Sequence, residues 1–338
     1  MARETTQKIG FGIEATPETD PIDAEGALYW QFGIRPYTFN DLHPIETHDW
    51  LPIYQGGSRM PNDFQLIEEP LSLGIAFYPT TTVADYLMLG ACITDNSDIH
   101  TITNIDSGAL PTFTVRSEMS GGTAARYVSA VGCKANLLSG HLICHEGWGY
   151  FSNTLGYTGI KTQTASRNGS TTGPYYQTSD GVMTAANQLK NRYHRNDGTF
   201  VFTWDAVDYK ADLAIFNYQV VSGLNAFAVS GQSETEYIDE GMYNVMLSGS
   251  LWRGSDHQIY DDFLANTKTH DIVFKIYAGS TNYATRTFSN IALTHCEAPY
   301  AEGTKEKWWN FRGLAKDYGV VSLDGITDGV GDAVFYGE

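Results

Sequence analysis

The chain lacks most of the features that usually mark a function. Its 338 residues hold only four cysteines, Cys92, Cys133, Cys144 and Cys296, and none forms a C-x-x-C pair. The start, MARETTQKIG, has no apolar core of the kind a signal peptide needs. Buried thiols are therefore expected, with a Cys133–Cys144 hairpin bridge as the alternative. No thiol sits beside a basic motif that would make it a reactive thiolate. Basic residues are scarce: 21 Lys and Arg stand against 39 Asp and Glu, a formal charge of -18. That balance argues against wrapping duplex DNA by phosphate neutralisation and against docking on anionic membranes. Apolar runs are short, Tyr86–Ile93 being typical, and fall well below a membrane span.

Catalytic signatures are missing too. There is no G-x-S-x-G elbow, no H-E-x-x-H and no P-loop. His141 and His145 would share one strand face about 13 Å apart, too far to hold one ion. Asp324–Asp332 (DGITDGVGD) sets aspartates among glycines but lacks the EF-hand order and its closing Glu, so a turn series is preferred. Asp49-Trp50, after Glu46 and His48, has no second carboxylate or nucleophile in a fixed relation to it, which favours a protein–protein contact. Trp308-Trp309 could stack on a sugar. The preferred reading is a strand with one Trp inside and one at an interface. No catalytic residue, cofactor or metal is expected.

What the chain does have is β texture. A hydrophobic content of 42% with 13% aromatics suits a folded chain, and its length allows one large or two medium domains. Alternating or β-branched runs at Leu71–Tyr78, Pro111–Arg116, Thr199–Trp204, Val245–Trp252 and Ile272–Tyr277 read as strands. Two amphipathic helices stand out. One covers Val83–Cys92. The other follows Gly254, with Ser255 and Gln258 as a capping box, Ile259 and Phe263 on one face, and Tyr260 and Leu264 beside them. A third helical stretch, Val182–Arg192, belongs to a connection.

The two main helices sit in matching surroundings. Glu68-Glu69 and Asp239-Glu240 each precede a strand, a short loop and a capped helix. Each helix is followed by two strands: TFTVRSE and YVSAVGCKANLL in the first half, IVFKIYA and TRTFSNIALTHCEA in the second. A β-α-β-β order that recurs once per half of the chain indicates internal duplication. Acidic pairs, Asp261-Asp262 included, are usually a solvated face, but recurrence at matching points gives the first two a shared role. The Gly/Ser/Thr-rich stretch Ser152–Gly181 reads as the boundary. The expected division is 1–157 for the first domain, 158–181 for the linker and 182–338 for the second domain.

The opening KIGFGIEATPETDP (Lys8–Pro21) resembles the start of major tail tube proteins of tailed phages and siphovirus-like archaeal viruses. So does the order that follows: an apolar strand, a polar loop with Gly56-Gly57-Ser58-Arg59, the unit LSLGIAFYPTTTVADYLMLGA, and the strand segment VGCKAN (Val131–Asn136). The resemblance implies a mainly β fold of two tandem tail-tube-type antiparallel β-sandwich or barrel domains, each with one flanking α-helix. It implies a structural virion protein that polymerises into stacked rings. A duplicated subunit would form homotrimers with pseudo-sixfold symmetry. The implied partners are further copies of the chain, a tape measure protein and tail terminator or tip proteins. DNA would pass during ejection without specific binding, and no membrane is involved. The place of action would be the virion tail, after assembly in the host cytoplasm. Under this reading, the loop Ile45–Leu66, with Trp50, Tyr54, Arg59 and Phe64, and its counterpart Ser230–Tyr243, with Tyr237, reach the next ring. Glu68, Glu69, Asp239 and Glu240 would face the lumen, where carboxylates repel phosphate. The alternative is a carbohydrate-binding, adhesin-like β-sandwich of a virion, favoured by 21 Tyr and 7 Trp. A β-rich hydrolase is the weakest alternative, since a second copy adds nothing to a single cleft.

Overall fold

Alternating apolar and polar residues favour antiparallel strands with one covered face, and that is what forms. The computed structural model describes residues 7–14, 30–31, 49–53, 60–61, 63–68, 71–77, 93–96, 99–102, 110, 112–121, 124–143, 150–159, 161–166, 200–210, 212–228, 235–252, 258–278, 282–297 and 308–323. Most of these residues lie in strands, which establishes a mainly β fold. The N-terminal half holds β1 (Gln7–Ile13), β2 (Trp30–Gln31), β3 (Asp49–Ile53), β4 (Asp63–Glu68), β5 (Leu71–Phe77), β6 (Ile93–Asn96), β7 (Ile99–Ile102), β8 (Phe113–Gly121), β9 (Ala124–Ile143), β10 (Tyr150–Gly159) and β11 (Lys161–Ser166). The C-terminal half holds β12 (Val201–Trp204), β13 (Val207–Asp208), β14 (Leu213–Ser222), β15 (Asn225–Ala228), β16 (Thr235–Asp239) and β17 (Tyr243–Trp252), then the helix α1 (Gln258–Ala265). It closes with β18 (His270–Ala278), β19 (Asn282–Glu297), β20 (Trp308–Ala315) and β21 (Asp317–Leu323).

Two long strands organise the sheets. The central sheet runs β5-β10-β9-β14-β17-β20-β19, antiparallel throughout. A second sheet, β2-β1-β8-β9-β11, uses the N-terminal part of β9. A third, β13-β12-β18-β19-β21-β7-β6, uses the N-terminal part of β19. Each long strand leaves one sheet and enters the central one at a residue with positive φ, Gly132 (64°) in β9 and Asn290 (54°) in β19. Glycine takes that conformation without strain, and Asn is among the side chains that tolerate it best. A bulge accompanies each corner, one beside Phe113↔Cys133 and one beside His270↔Ile291.

A carboxylate ties each corner. Glu14, buried just after β1, accepts bonds from Gly132 N–H (2.8 Å) and Thr114 Oγ1 (2.7 Å). After β12, Asp205 accepts from Asp271 N–H (2.8 Å), and Asp271 in turn accepts from Asn290 N–H (3.1 Å). Pairings also correspond between the halves: β8–β9 with β18–β19, β9–β10 with β19–β20, β9–β11 with β19–β21, and β5–β10 with β17–β20.

The C-terminal core lies between the central and third sheets, so this part is a β-sandwich. Phe216 of β14 meets Phe202 (5.1 Å between ring centres), Phe274 (5.5 Å) and Phe288 (5.8 Å) from the facing sheet. Tyr218 meets Phe288 (5.3 Å), and Trp204 meets Phe311 (5.8 Å). Each fully buried ring stabilises the fold by roughly 1.5–3 kcal/mol, and edge-to-face pairs add about 0.5–1.5 kcal/mol. The glycines of the central sheet make room for these rings: a methyl at Gly140 would lie 2.1 Å from Tyr218 Cε1. α1 buries Ile259 and leaves Phe263 half-buried, as its periodicity requires, while Tyr260 packs on Trp309 (5.1 Å). Leu264, expected beside them, is 63% exposed, because α1 buries the carboxylate of Asp262 on its inner side.

One expectation changes. The stretch from Ser152, read as a linker, begins as strand: β10 and then β11 pair along β9, so order extends to Ser166. The alternating threonines of KTQTAS are β-formers that need little apolar surface when a long strand lies alongside. The central sheet also runs unbroken from one half into the other through β9–β14. The expected helices Val83–Cys92 and Val182–Arg192, the proposed cap at Ser255, and the aspartates of 324–332 lie outside the described residues.

Candidate functional site

Both stretches expected as loops contribute strands to β-hairpins. β3 pairs with β4, placing Trp50 opposite Leu66 and Pro52 opposite Phe64. β15 pairs with β16, placing Phe227 opposite Tyr237. Alternation along each arm accounts for the pairing, which makes each arm stiffer than a loop. Both arms carry exposed apolar side chains. Phe64 is 56% exposed and Met60 77% exposed on the first, and Tyr237 is 51% exposed on the second. The Phe227 and Tyr237 rings stack at 5.2 Å and 25°. Met242, 91% exposed, follows the second hairpin. Tyr54 and Arg59 lie outside the described residues.

The acidic residues expected to act together have separate surroundings. Asp239, exposed, accepts a bond from the Glu240 N–H (3.0 Å). Glu240 is half-buried and turned inward: Lys134 Nζ of β9 lies 2.5 Å from Oε1, and the Leu110 N–H lies 3.1 Å from both oxygens. Glu240 therefore clasps a C-terminal hairpin to an N-terminal strand. Burial, and then the Glu240 charge, push the phenol of Tyr243 above its ordinary range. Glu68 ends β4 opposite Asp49, and Glu69 lies outside the described residues.

The outward face of the central sheet forms an open groove of about 560 Å³. Its floor is polar: Ser139, His141, Asn217, Gln219 and Ser248 line it. His141 Nδ1 contacts Asn217 Oδ1, and Asn217 Nδ2 reaches Ser248 Oγ (3.4 Å). Among the described lining residues Arg312 is the only Lys, Arg, Asp or Glu, and the only Phe, Tyr or Trp, Tyr218, is buried. The groove thus offers no exposed aromatic platform for a sugar among the described residues. At the end of β19 the Glu297 carboxyl is held below its usual range, first by its hydrogen bond to His295. His141 lies on a strand, as its sequence context required, and His145 lies outside the described residues.

The central sheet ends in two edges. Among the described strands β5 pairs only with β10, and the C-terminal part of β19 only with β20. At Thr294 the β19 register skips a residue against β20. Such edges are templates for another strand.

Elsewhere, Trp309 is buried, in keeping with an inside position on its strand. Cys296 is a buried thiol whose pKa burial pushes up to about 11, and Cys133 is buried with Sγ on the Ala130 carbonyl. Among the described residues no helix is long and apolar enough to cross a membrane. One group of metal-ligating type occurs among them, Asp205, Asp262 and His270. Its members come from three separate elements, so no spacing in the sequence could have announced it. No protein-family model matches the chain, and no curated protein is similar to it.

Proposed function

We propose that the chain is a structural subunit of a viral tail tube, built from two tandem copies of one β unit and polymerising into stacked rings. The observation that carries this reading is the β9–β14 joint. There the N-terminal trio β5-β10-β9 is continued by β14 into the trio β17-β20-β19, which has the same order and the same pairings. Matching corners at Gly132 and Asn290 support a duplicated origin. A sheet that joins one unit to the next inside the chain can repeat the joint between chains. The β19 edge of one copy then meets the β5 side of the next, and three copies close a ring of six units.

The segments that carry the family resemblance also meet in space. Glu14, from KIGFGIEATPETDP, receives the Gly132 N–H of VGCKAN. The exposed rings and methionines on both hairpins suit arms that bury themselves against a neighbouring ring, with Trp50, Tyr54, Arg59, Phe64 and Tyr237 as the contact set. The net negative charge, and a central-sheet groove whose described lining carries a single formal cation, suit a conduit that does not hold passing DNA. Of the lumen-facing set, Glu240 is engaged internally, which leaves Glu68, Glu69 and Asp239 for that role. In this reading the subunit assembles in the host cytoplasm, caps against terminator and tip proteins, surrounds the tape measure protein and needs no cofactor.

The test is Thr294→Pro. Thr294 has no cross-strand partner in β20, so a proline there removes an N–H from the edge strand at its bulge, the position where a sheet best accepts one, and circular dichroism checks that the variant folds. Sedimentation should show rings and tubes for the parent chain and folded monomer for the variant. Unchanged assembly in the variant would remove this edge from the joint.

A further inference from the structure

The geometry points to a divalent transition-metal site formed by Asp205, Asp262 and His270. Asp205 Oδ2 lies 2.7 Å and Asp262 Oδ2 3.6 Å from His270 Nδ1, and the three atoms lie within 4.8 Å of one another. Donors about 2.0–2.2 Å from a tetrahedral ion stand about 3.3–3.6 Å apart, so the Asp262–His270 separation already fits, and the Asp205–His270 hydrogen bond would open by under about 1 Å to admit the ion. The second polar atom of each donor group is held by a residue outside the trio. Asp205 Oδ1 accepts the Asp271 N–H (2.8 Å), Asp262 Oδ1 accepts from Gln258 Nε2 (2.7 Å), and His270 Nε2 bonds Thr267 Oγ1. That leaves one donor atom of each side chain aimed at a common point, which is the outer-shell arrangement of a metal site. Trp204 Nε1 also donates to Asp262 Oδ2 (2.9 Å), using one of that oxygen's two lone pairs. The Trp204 ring stacks on the imidazole at 5.3 Å and 27°, fixing its plane.

Two oxygens and one imidazole nitrogen favour Zn²⁺, Mn²⁺ or Co²⁺ over Mg²⁺ or Ca²⁺. Asp262 and His270 are buried, whereas the Asp205 side chain is 38% exposed and gives the ion a way in. A bound ion would staple the turn after β12 to α1 and to the start of β18. The positive φ of Asp205 (47°) and Ala206 (65°) places the turn carboxylate over the imidazole. In the metal-bound form Nδ1 carries the ion and Nε2–H donates to Thr267.

The full-length chain, stripped with a chelator and dialysed, is titrated with Zn²⁺ by calorimetry and with Co²⁺ by visible absorption. One equivalent should bind to the parent chain, with Co²⁺ ligand-field bands and a raised melting temperature. Asp205→Asn keeps the turn's hydrogen bond to the Asp271 N–H and should weaken that site at least about 100-fold. Thr267→Val, which leaves all three ligands in place, should weaken it about 10–100-fold. No Zn²⁺ binding by the parent chain, or binding that survives unchanged in both variants, overturns the assignment. Neither readout depends on assembly, so the result stands whether or not the chain forms tubes.

Discussion

Replacing Glu240 with Gln removes a charge from the clasp that joins the two halves and keeps its shape. The carboxylate lies 2.5 Å from Lys134 Nζ, and the two side chains are 26% and 16% exposed. Exposed ion pairs contribute about 0–1 kcal/mol, whereas breaking a buried pair costs about 3–5 kcal/mol. A pair roughly four-fifths covered falls between these limits, so Glu240→Gln should destabilise the chain by about 2 kcal/mol. Part of that cost is the partly buried ammonium of Lys134 left without a counter-charge. The amide oxygen still accepts the Leu110 N–H, so the loss is specific to the charge. Urea unfolding of the parent, Glu240→Gln, Lys134→Met and the double variant gives a cycle that isolates the pair. The expected coupling is about 1.5–2 kcal/mol, with an unchanged dependence on denaturant. Coupling below about 0.5 kcal/mol would refute the inward clasp and return Glu240 to the solvent-facing set.

Two more perturbations follow from the same geometry. Gly140→Ala drives a methyl to 2.1 Å from Tyr218 Cε1 in a ring only 1% exposed, so it should cost about 3 kcal/mol in urea unfolding; a loss under about 1 kcal/mol would mean that the ring has room to move. Burial raises the Tyr243 phenol from its ordinary 10.0, so the folded chain holds that proton where the unfolded chain releases it. Its contribution to stability is complete below about pH 10 and declines above it, by up to about 1.4 kcal/mol per pH unit. Tyr243→Phe should therefore gain on the parent between pH 9 and pH 11, and parallel curves in that range would contradict the assignment.

The strands were legible because their chemistry is local. LSLGIAFY, TFVFTW and IVFKIY alternate or branch at Cβ, and all three form strands within a few residues of the expected bounds. α1 was legible from Ile259 and Phe263, but its exposed side was not. Placing Leu264 there depends on Asp262 finding Trp204 Nε1, a contact across 58 residues. KTQTAS looked like linker because its composition lacks apolar surface, while its order comes from β9 lying alongside. Glu14 belongs to the opening motif, yet its meeting with Gly132 118 residues later is a matter of tertiary structure. For the same reason Glu240 read as surface acid: its partners, Lys134 and Leu110, precede it by more than 100 residues.

Negative-stain electron microscopy of the purified full-length chain, fresh and after concentration, tests the central claim most directly. The account predicts hollow rods of stacked rings, with three subunits and six lobes in each ring average. Globular particles that remain monomeric by sedimentation at every concentration would contradict it.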